Sequence, residues 1–124
     1  MPDQERKILV VEDERLIQRM MRFILERSRY EVHVAGDGKE AVRLARSVRP
    51  DLILLDIQLP HMDGFEVLGV LRQLVETQRI PVVMMSSLSD VNDRTHGLQL
   101  GASEFLNKPF EPADLLACVA RHIH

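Results

Sequence analysis

Apolar and polar positions along the chain fall into two alternating kinds of segment. Lys7–Val11 (KILVV), Glu31–Ala35 (EVHVA), Asp51–Leu55 (DLILL), Pro81–Met85 (PVVMM) and Ser103–Leu106 (SEFL) are short, and three of them are continuous runs rich in Val, Ile, Leu or Met. A strand covered on both faces of a parallel sheet reads this way. The stretches between them carry helical spacing: Ile17, Met20, Met21 and Ile24; Ala41, Leu44, Ala45 and Val48; Val67, Val70, Leu71 and Leu74; and Leu115, Leu116, Val119, Ala120 and Ile123. From Asp90 to Leu100 the pattern is thinner. Val91, Thr95 and Leu98 are its inward positions, and a less securely packed helix is predicted there. Turn and cap residues fall where these segments meet. Gly36-Asp37-Gly38 closes the second strand, Asp63-Gly64 opens the third helix, Ser89 or Asp90 caps the fourth, Gly101 ends it, and Pro112 suits the first turn of the fifth.

Five strand–helix repeats imply an α/β fold: a (βα)5 three-layer sandwich with helices on both faces of a parallel sheet and right-handed crossovers. The 124 residues are expected to form a single domain over 1–124. A hydrophobic content of 45% with a net charge of −3 excludes disorder. The one cysteine, Cys118, excludes a disulfide scaffold. A mildly acidic domain with no Trp and a single Tyr is not expected to bind nucleic acid directly. The longest apolar runs, Ile8–Val11, Leu52–Leu55 and Pro81–Met85, are far short of the roughly 18 residues of a membrane span. The polar start MPDQERK leads into no signal region. A cytoplasmic protein without membrane partners is expected.

In open parallel sheets, functional groups gather at the carboxyl ends of the strands. Here those ends carry Glu12-Asp13, Asp56, Ser86-Ser87 and Lys108-Pro109. Each has an ordinary alternative. The acidic run can be a solvated helix start, Asp56 a turn residue, Ser86 a cap and Lys108 a surface lysine. Their arrival on one edge of one sheet favours a shared site. Carboxylates that close repel one another and need neutralising. Lys108 supplies one charge, and a hard divalent cation supplies the rest; a site with few carboxylates that keeps several waters suits Mg²⁺ better than Ca²⁺, with Mn²⁺ expected to substitute. Zinc is not expected, because Cys118 is alone and the five histidines have no paired ligand spacing on strand ends. No glycine loop for phosphates is present. A carboxylate beside Mg²⁺, a hydroxyl and a lysine suits a phosphoryl group, with Asp as the acceptor of an acyl phosphate.

The motifs ILVVEDE (8–14), DLILLDIQLPHMDGFEVL (51–68), IPVVMMSS (80–87) and GASEFLNKPF (101–110) resemble the receiver domain of two-component response regulators over about Lys7 to Ile123. The resemblance implies a flavodoxin-like fold with strand order 2-1-3-4-5. It implies that Asp56 is the phosphoacceptor, that Glu12, Asp13, Asp56 and the backbone carbonyl of Gln58 hold Mg²⁺, and that Ser86 and Lys108 bind phosphoryl oxygens. It further implies a cis bond before Pro109 and an aromatic switch at Phe105, paired with Ser86. Gln58 and Leu88 would flank the attacking water and tune dephosphorylation. The expected function is to take a phosphoryl group from a phosphohistidine of a sensor histidine kinase or phosphotransfer protein, and to switch the face formed by helix 4, strand 5 and helix 5 toward an unknown downstream protein. On this reading the chain is an acceptor and not a conventional enzyme. A passive phosphorelay intermediate and the N-terminal receiver of a longer regulator are the alternatives. A phosphorylation-independent interaction module, a Mg²⁺-dependent phosphohydrolase and a flavin-binding domain rank below these.

Overall fold

A computed structural model of the chain describes residues 5–87 and 91–123, the side chains of 91 and 92 excepted. The order is β1 (Lys7–Val11), α1 (Arg15–Arg27), β2 (Glu31–Ala35), α2 (Gly38–Val48), β3 (Leu52–Asp56), α3 (Gly64–Gln73), β4 (Val82–Ser86), α4 (Val91–Leu100), β5 (Glu104–Asn107) and α5 (Pro112–His122). All strands pair in parallel, in the order β2-β1-β3-β4-β5. The chain leaves β1 toward β2 and returns past β1 to β3. Strand order therefore reverses between β1 and β3, where such sheets open a crevice at their carboxyl ends.

Side-chain alternation divides the core in two. Leu9, Val11, Ile53, Leu55, Val82 and Met84 face Ala41, Ala45, Val67, Leu68 and Leu71 of α2 and α3. Ile8, Val10, Leu52, Leu54, Val83 and Met85 face Met21 and Leu25 of α1 and Leu115, Cys118 and Val119 of α5. Three strands start one residue later than the apolar pattern predicts, and the displaced starts are Asp51, Pro81 and Ser103. The Asp51 carboxylate accepts the Lys7 backbone N–H at 2.8 Å, Pro81 has no N–H, and the Ser103 hydroxyl accepts from Val82 N–H at 3.3 Å. The strands correspondingly extend one residue further at their other ends. Asp56 and Ser86 are thus held in the ladder, opposite Met85 and Asn107.

The helix caps match the sequence. Asp37 accepts from Glu40 N–H at 2.9 Å, Asp63 and Glu66 form a reciprocal capping box, Gly101 takes φ +107°, and Pro112 opens α5. Ser89 and Asp90 lie outside the described residues. Four helix faces are corrected. In α3, Leu68 is inward and Leu74 falls past the helix end at Gln73. In α1, Leu25 is inward and Met20 is 43% exposed. In α5, Cys118 is inward and Ala120 outward. In α4, Thr95 is exposed and Leu98 is 54% exposed, while Gly97 is buried. The other end of α4 is tied by Arg72 of α3. Its guanidinium donates to the carbonyl of Gly101 at 2.8 and 3.1 Å and to that of Ile80 at 2.7 Å, with further bonds to Gln78 and Thr77. Among the described residues no helix is long and apolar enough to cross a membrane.

Candidate functional site

Glu12 directly follows β1, and its N–H donates to the Ala35 carbonyl at 3.0 Å. Its side chain is fully buried, and one oxygen accepts the Glu14 N–H at 3.1 Å. The Gln18 side-chain amide of α1 donates to the Glu12 carbonyl. Asp56, 5% exposed, ends β3, and its Oδ1 accepts the Gln58 N–H at 3.1 Å. Ser86, 4% exposed, ends β4, and its carbonyl accepts the Lys108 N–H at 2.8 Å. The strand ladder thus sets the backbone from which each group projects. The Lys108–Pro109 peptide is cis, as the sequence resemblance implies.

Lys108 Nζ donates to Glu12 Oε1 at 2.7 Å and to Asp56 Oδ2 at 2.9 Å. One carboxylate oxygen from each of Glu12, Asp13 and Asp56 lies within 4.8 Å of the others. Burial pushes the Glu12 carboxyl above the usual carboxylate range, against the lowering by Lys108 and the Glu14 N–H. Burial also pulls on the Lys108 ammonium, but its bonds to Glu12 and Asp56 outweigh this and hold it above the usual lysine range. Two of the three carboxylates, Glu12 and Asp56, pair with one ammonium, and the donors that a cation would meet are all oxygen. That donor chemistry fits a hard divalent cation. Asp13, the exposed member, opens the cluster to solvent.

Gly64 allows this arrangement. Its N–H donates to the Ile57 carbonyl at 2.7 Å, and a Cβ there would lie 2.4 Å from the Asp56 carbonyl oxygen. Phe105 projects from β5 toward α4. A Cβ on Gly97 would meet its ring at 2.4 Å and the Phe65 ring at 3.3 Å. The Phe65 and His96 rings stand edge to face at 4.8 Å beside this contact, and Arg94 donates to the Asn107 side chain.

The structure brings together Glu12, Asp13, Asp56 and Lys108, with Ser86 at the neighbouring strand end and the Gln58 backbone beside Asp56. Leu88 lies outside the described residues. A second group went unnoticed in the sequence: Glu104, Cys118 and His122, at the far end of β5 and α5. Burial, and then the Glu104 charge, push the Cys118 thiol up to about 11. The spacing of Cys118 and His122, four apart on one helix, was the available signal.

Residues 8–120 match the family profile described as the response regulator receiver domain. The chain belongs to the response regulator receiver family. Among solved structures, this receiver domain is similar to the chemotaxis protein CheY4 of Vibrio cholerae, with a TM-score of 0.93 and 32% identity over 97% of this chain and 100% of that one. It is also similar to the receiver domain of a sensor histidine kinase of Pseudomonas aeruginosa, described with a magnesium ion coordinated in its active site cleft. That likeness has a TM-score of 0.88 and 33% identity over 96% of this chain and 98% of that one. The alkaline phosphatase synthesis transcriptional regulatory protein PhoP of Bacillus subtilis is 43% identical over 114 residues, which are 92% of this chain and 47% of that protein. The receiver domain thus spans about half the length of the curated relatives it matches.

Proposed function

We propose that this receiver domain, taken as one unit over 1–124, accepts a phosphoryl group on Asp56 from the phosphohistidine of a sensor histidine kinase or phosphotransfer protein, in the cytoplasm, and acts as an acceptor rather than a turnover enzyme. The observation that carries the reading is a buried Asp56 carboxylate held by Lys108 beside Glu12 and Asp13. A carboxylate oxygen of Asp56 forms the new O–P bond as the P–N bond of the donor breaks, its electron pair leaving with the imidazole. Lys108 is already in place to pair with a phosphoryl oxygen, and Ser86 ends the neighbouring strand β4. Glu12, Asp13, Asp56 and the Gln58 carbonyl would hold Mg²⁺, or Mn²⁺ in its place. When bound, the ion neutralises clustered charge on the carboxylates and on the transferred group. Gln58, and Leu88 by the family resemblance, would control the water that later hydrolyses the acyl phosphate.

The donor protein has a suitable face in α1. Leu16, Met20 and Phe23 are 79%, 43% and 61% exposed along one stripe that starts beside Asp13, with Arg15, Arg19 and Arg22 around it. Acetyl phosphate needs no such face and isolates the chemistry at Asp56. Incubated with acetyl phosphate and Mg²⁺, the protein is expected to gain one phosphoryl group by intact mass. A chelator abolishes the gain, and Asp13→Ala weakens Mg²⁺ binding at least tenfold (about 1.4 kcal/mol). A full gain in the presence of chelator would sink the metal part of the reading.

Phosphorylation replaces the single Asp56 carboxylate charge with a phosphoryl group of about −1.5 to −2, a net gain of about −0.5 to −1 beside Ser86, and the face of α4, β5 and α5 is the element it would bias toward the downstream protein. Gly97 gives this face a testable pivot. In Gly97→Ala the new methyl occupies the place of the Phe105 ring, and a ring at the end of a rotatable side chain swings away at low cost. Better helix propensity, worth about 0.8–1 kcal/mol, offsets that cost. We expect unchanged thermal stability with an outward Phe105 in the unphosphorylated protein, read from ring contacts in its NMR spectra. An unmoved ring with α4 displaced would show instead that the helix yields first.

A further inference from the structure

We propose that Glu104, Cys118 and His122 form a binding site for a divalent transition metal of the zinc class. The sheet is parallel, so the start of β5 lies at the edge opposite Asp56. The helix α5 runs back along the sheet, and its last turns return to that same edge. Cys118 and His122 are four residues apart and therefore share one helix face, which Glu104 of the edge strand meets. One donor atom from each lies within 4.8 Å of the other two. A tetrahedral ion with bonds of about 2.0–2.3 Å holds its ligands roughly 3.3–3.8 Å apart, so closing on it takes adjustments of rotamer size. A thiolate, an imidazole and one carboxylate, with the fourth position for water, suit zinc and disfavour Mg²⁺. The two ends of this molecule therefore offer donor sets of opposite softness.

A histidine contact and an arginine hold the Glu104 carboxylate in the structure. His122 Nε2 lies 2.7 Å from Glu104 Oε1, to which Arg121 Nε also donates at 3.2 Å, while Arg121 Nη2 donates to Oε2. Metal binding at Oε1 displaces the Arg121 Nε bond there and leaves the Nη2 bond to Oε2 in place, as an outer group that orients the ligand. The Cys118 thiol proton goes to solvent as the sulfur–metal bond forms. His122 binds as a neutral ring through Nε2, with its proton on Nδ1. The His122 and Glu104 side chains keep 18% and 27% exposure and form the entry, with Cys118 buried behind them.

The test uses Co²⁺ and Zn²⁺ with the full chain, in an Asp13→Asn/Asp56→Asn background that disables the acidic cluster. Co²⁺ is expected to develop a thiolate-to-cobalt charge-transfer band in the near ultraviolet, which Zn²⁺ displaces. Glu104→Gln and His122→Gln each weaken Co²⁺ binding at least about tenfold. Zn²⁺ raises the unfolding temperature of the background protein but not of its Cys118→Ser variant. Absence of the band at millimolar Co²⁺ overturns the proposal, since it leaves Glu104 in an ion-pair network only. A band of unchanged affinity in both Glu104→Gln and His122→Gln overturns it equally, because it would assign the metal to the thiol alone.

Discussion

Asp56→Asn is expected to abolish phosphorylation and leave the fold intact. Asparagine keeps the size and one oxygen of the side chain, but its amide offers no carboxylate nucleophile. Removing a nucleophile in this way costs more than about 1000-fold in rate. Breaking a buried ion pair usually destabilises by about 3–5 kcal/mol, because the surviving charge is left alone. Here it is not left alone. Lys108 keeps Glu12 at 2.7 Å, and the cluster of three carboxylates loses one of the two that share its single ammonium. Thermal unfolding in Mg²⁺-free buffer is therefore expected at an equal or higher temperature than in the wild type, while intact mass shows no phosphoryl gain from acetyl phosphate. A retained gain would move the acceptor elsewhere. A strongly destabilised variant would show that the Asp56 carboxylate serves the fold rather than the chemistry.

The second large effect is on stability. In Gly64→Ala, the new methyl would sit 2.4 Å from the Asp56 carbonyl oxygen and 2.7 Å from Ile57 Cα. Both are backbone atoms at the end of β3, and neither can rotate aside. Either α3 lifts from the sheet or the strand end shifts, at a cost of about 2–4 kcal/mol and on the order of 10 °C in unfolding temperature. Because the strand end carries Asp56, phosphorylation falls as well. Gly69, five residues along the same helix, is the internal control. A Cβ there meets nothing within 4 Å, so Gly69→Ala is expected to stabilise by about 0.4–1 kcal/mol. Opposite signs for the two glycines in one melting experiment would separate steric approach from helix propensity; the same sign in both would refute the explanation.

The features that could be read from the sequence were those carried by side-chain type. Continuous apolar runs marked the strands because both sheet faces are covered, and polar residues just beyond those runs marked the cluster of Glu12, Asp13, Asp56 and Lys108. The same logic misplaced three strand ends by one residue. Asp56 and Ser86 stop an apolar run without stopping the hydrogen-bond ladder. Periodicity failed most in α4, where the inward contact is Gly97 against Phe105 and Phe65, and a glycine leaves no hydrophobic signature. It also favoured Met20 over Leu25 in α1, since both fit a helical stripe and only packing against the sheet separates them. That Lys108 would reach Glu12 as well as Asp56 was not legible, because it depends on how closely β1, β3 and the loop after β5 approach one another. The meeting of Glu104 with Cys118 and His122 was hidden for the same reason.

The anchoring of α4 by Arg72 restricts how that helix moves. The guanidinium holds Gly101 to the same carbonyl cluster that fixes the segment leading into β4, so the C-terminal end of α4 is a hinge pin. A ten-residue helix is about 15 Å long. With one end pinned it behaves as a lever, and a tilt of about 10° sweeps the backbone at Val91 through roughly 2–3 Å while Gly101 stays still. The fulcrum lies at the edge of the sheet away from Asp56, so displacement is greatest at the end of α4 nearer that residue. A sub-ångström adjustment at the Gly97–Phe105 contact, partway along the arm, is thereby magnified toward Ser86.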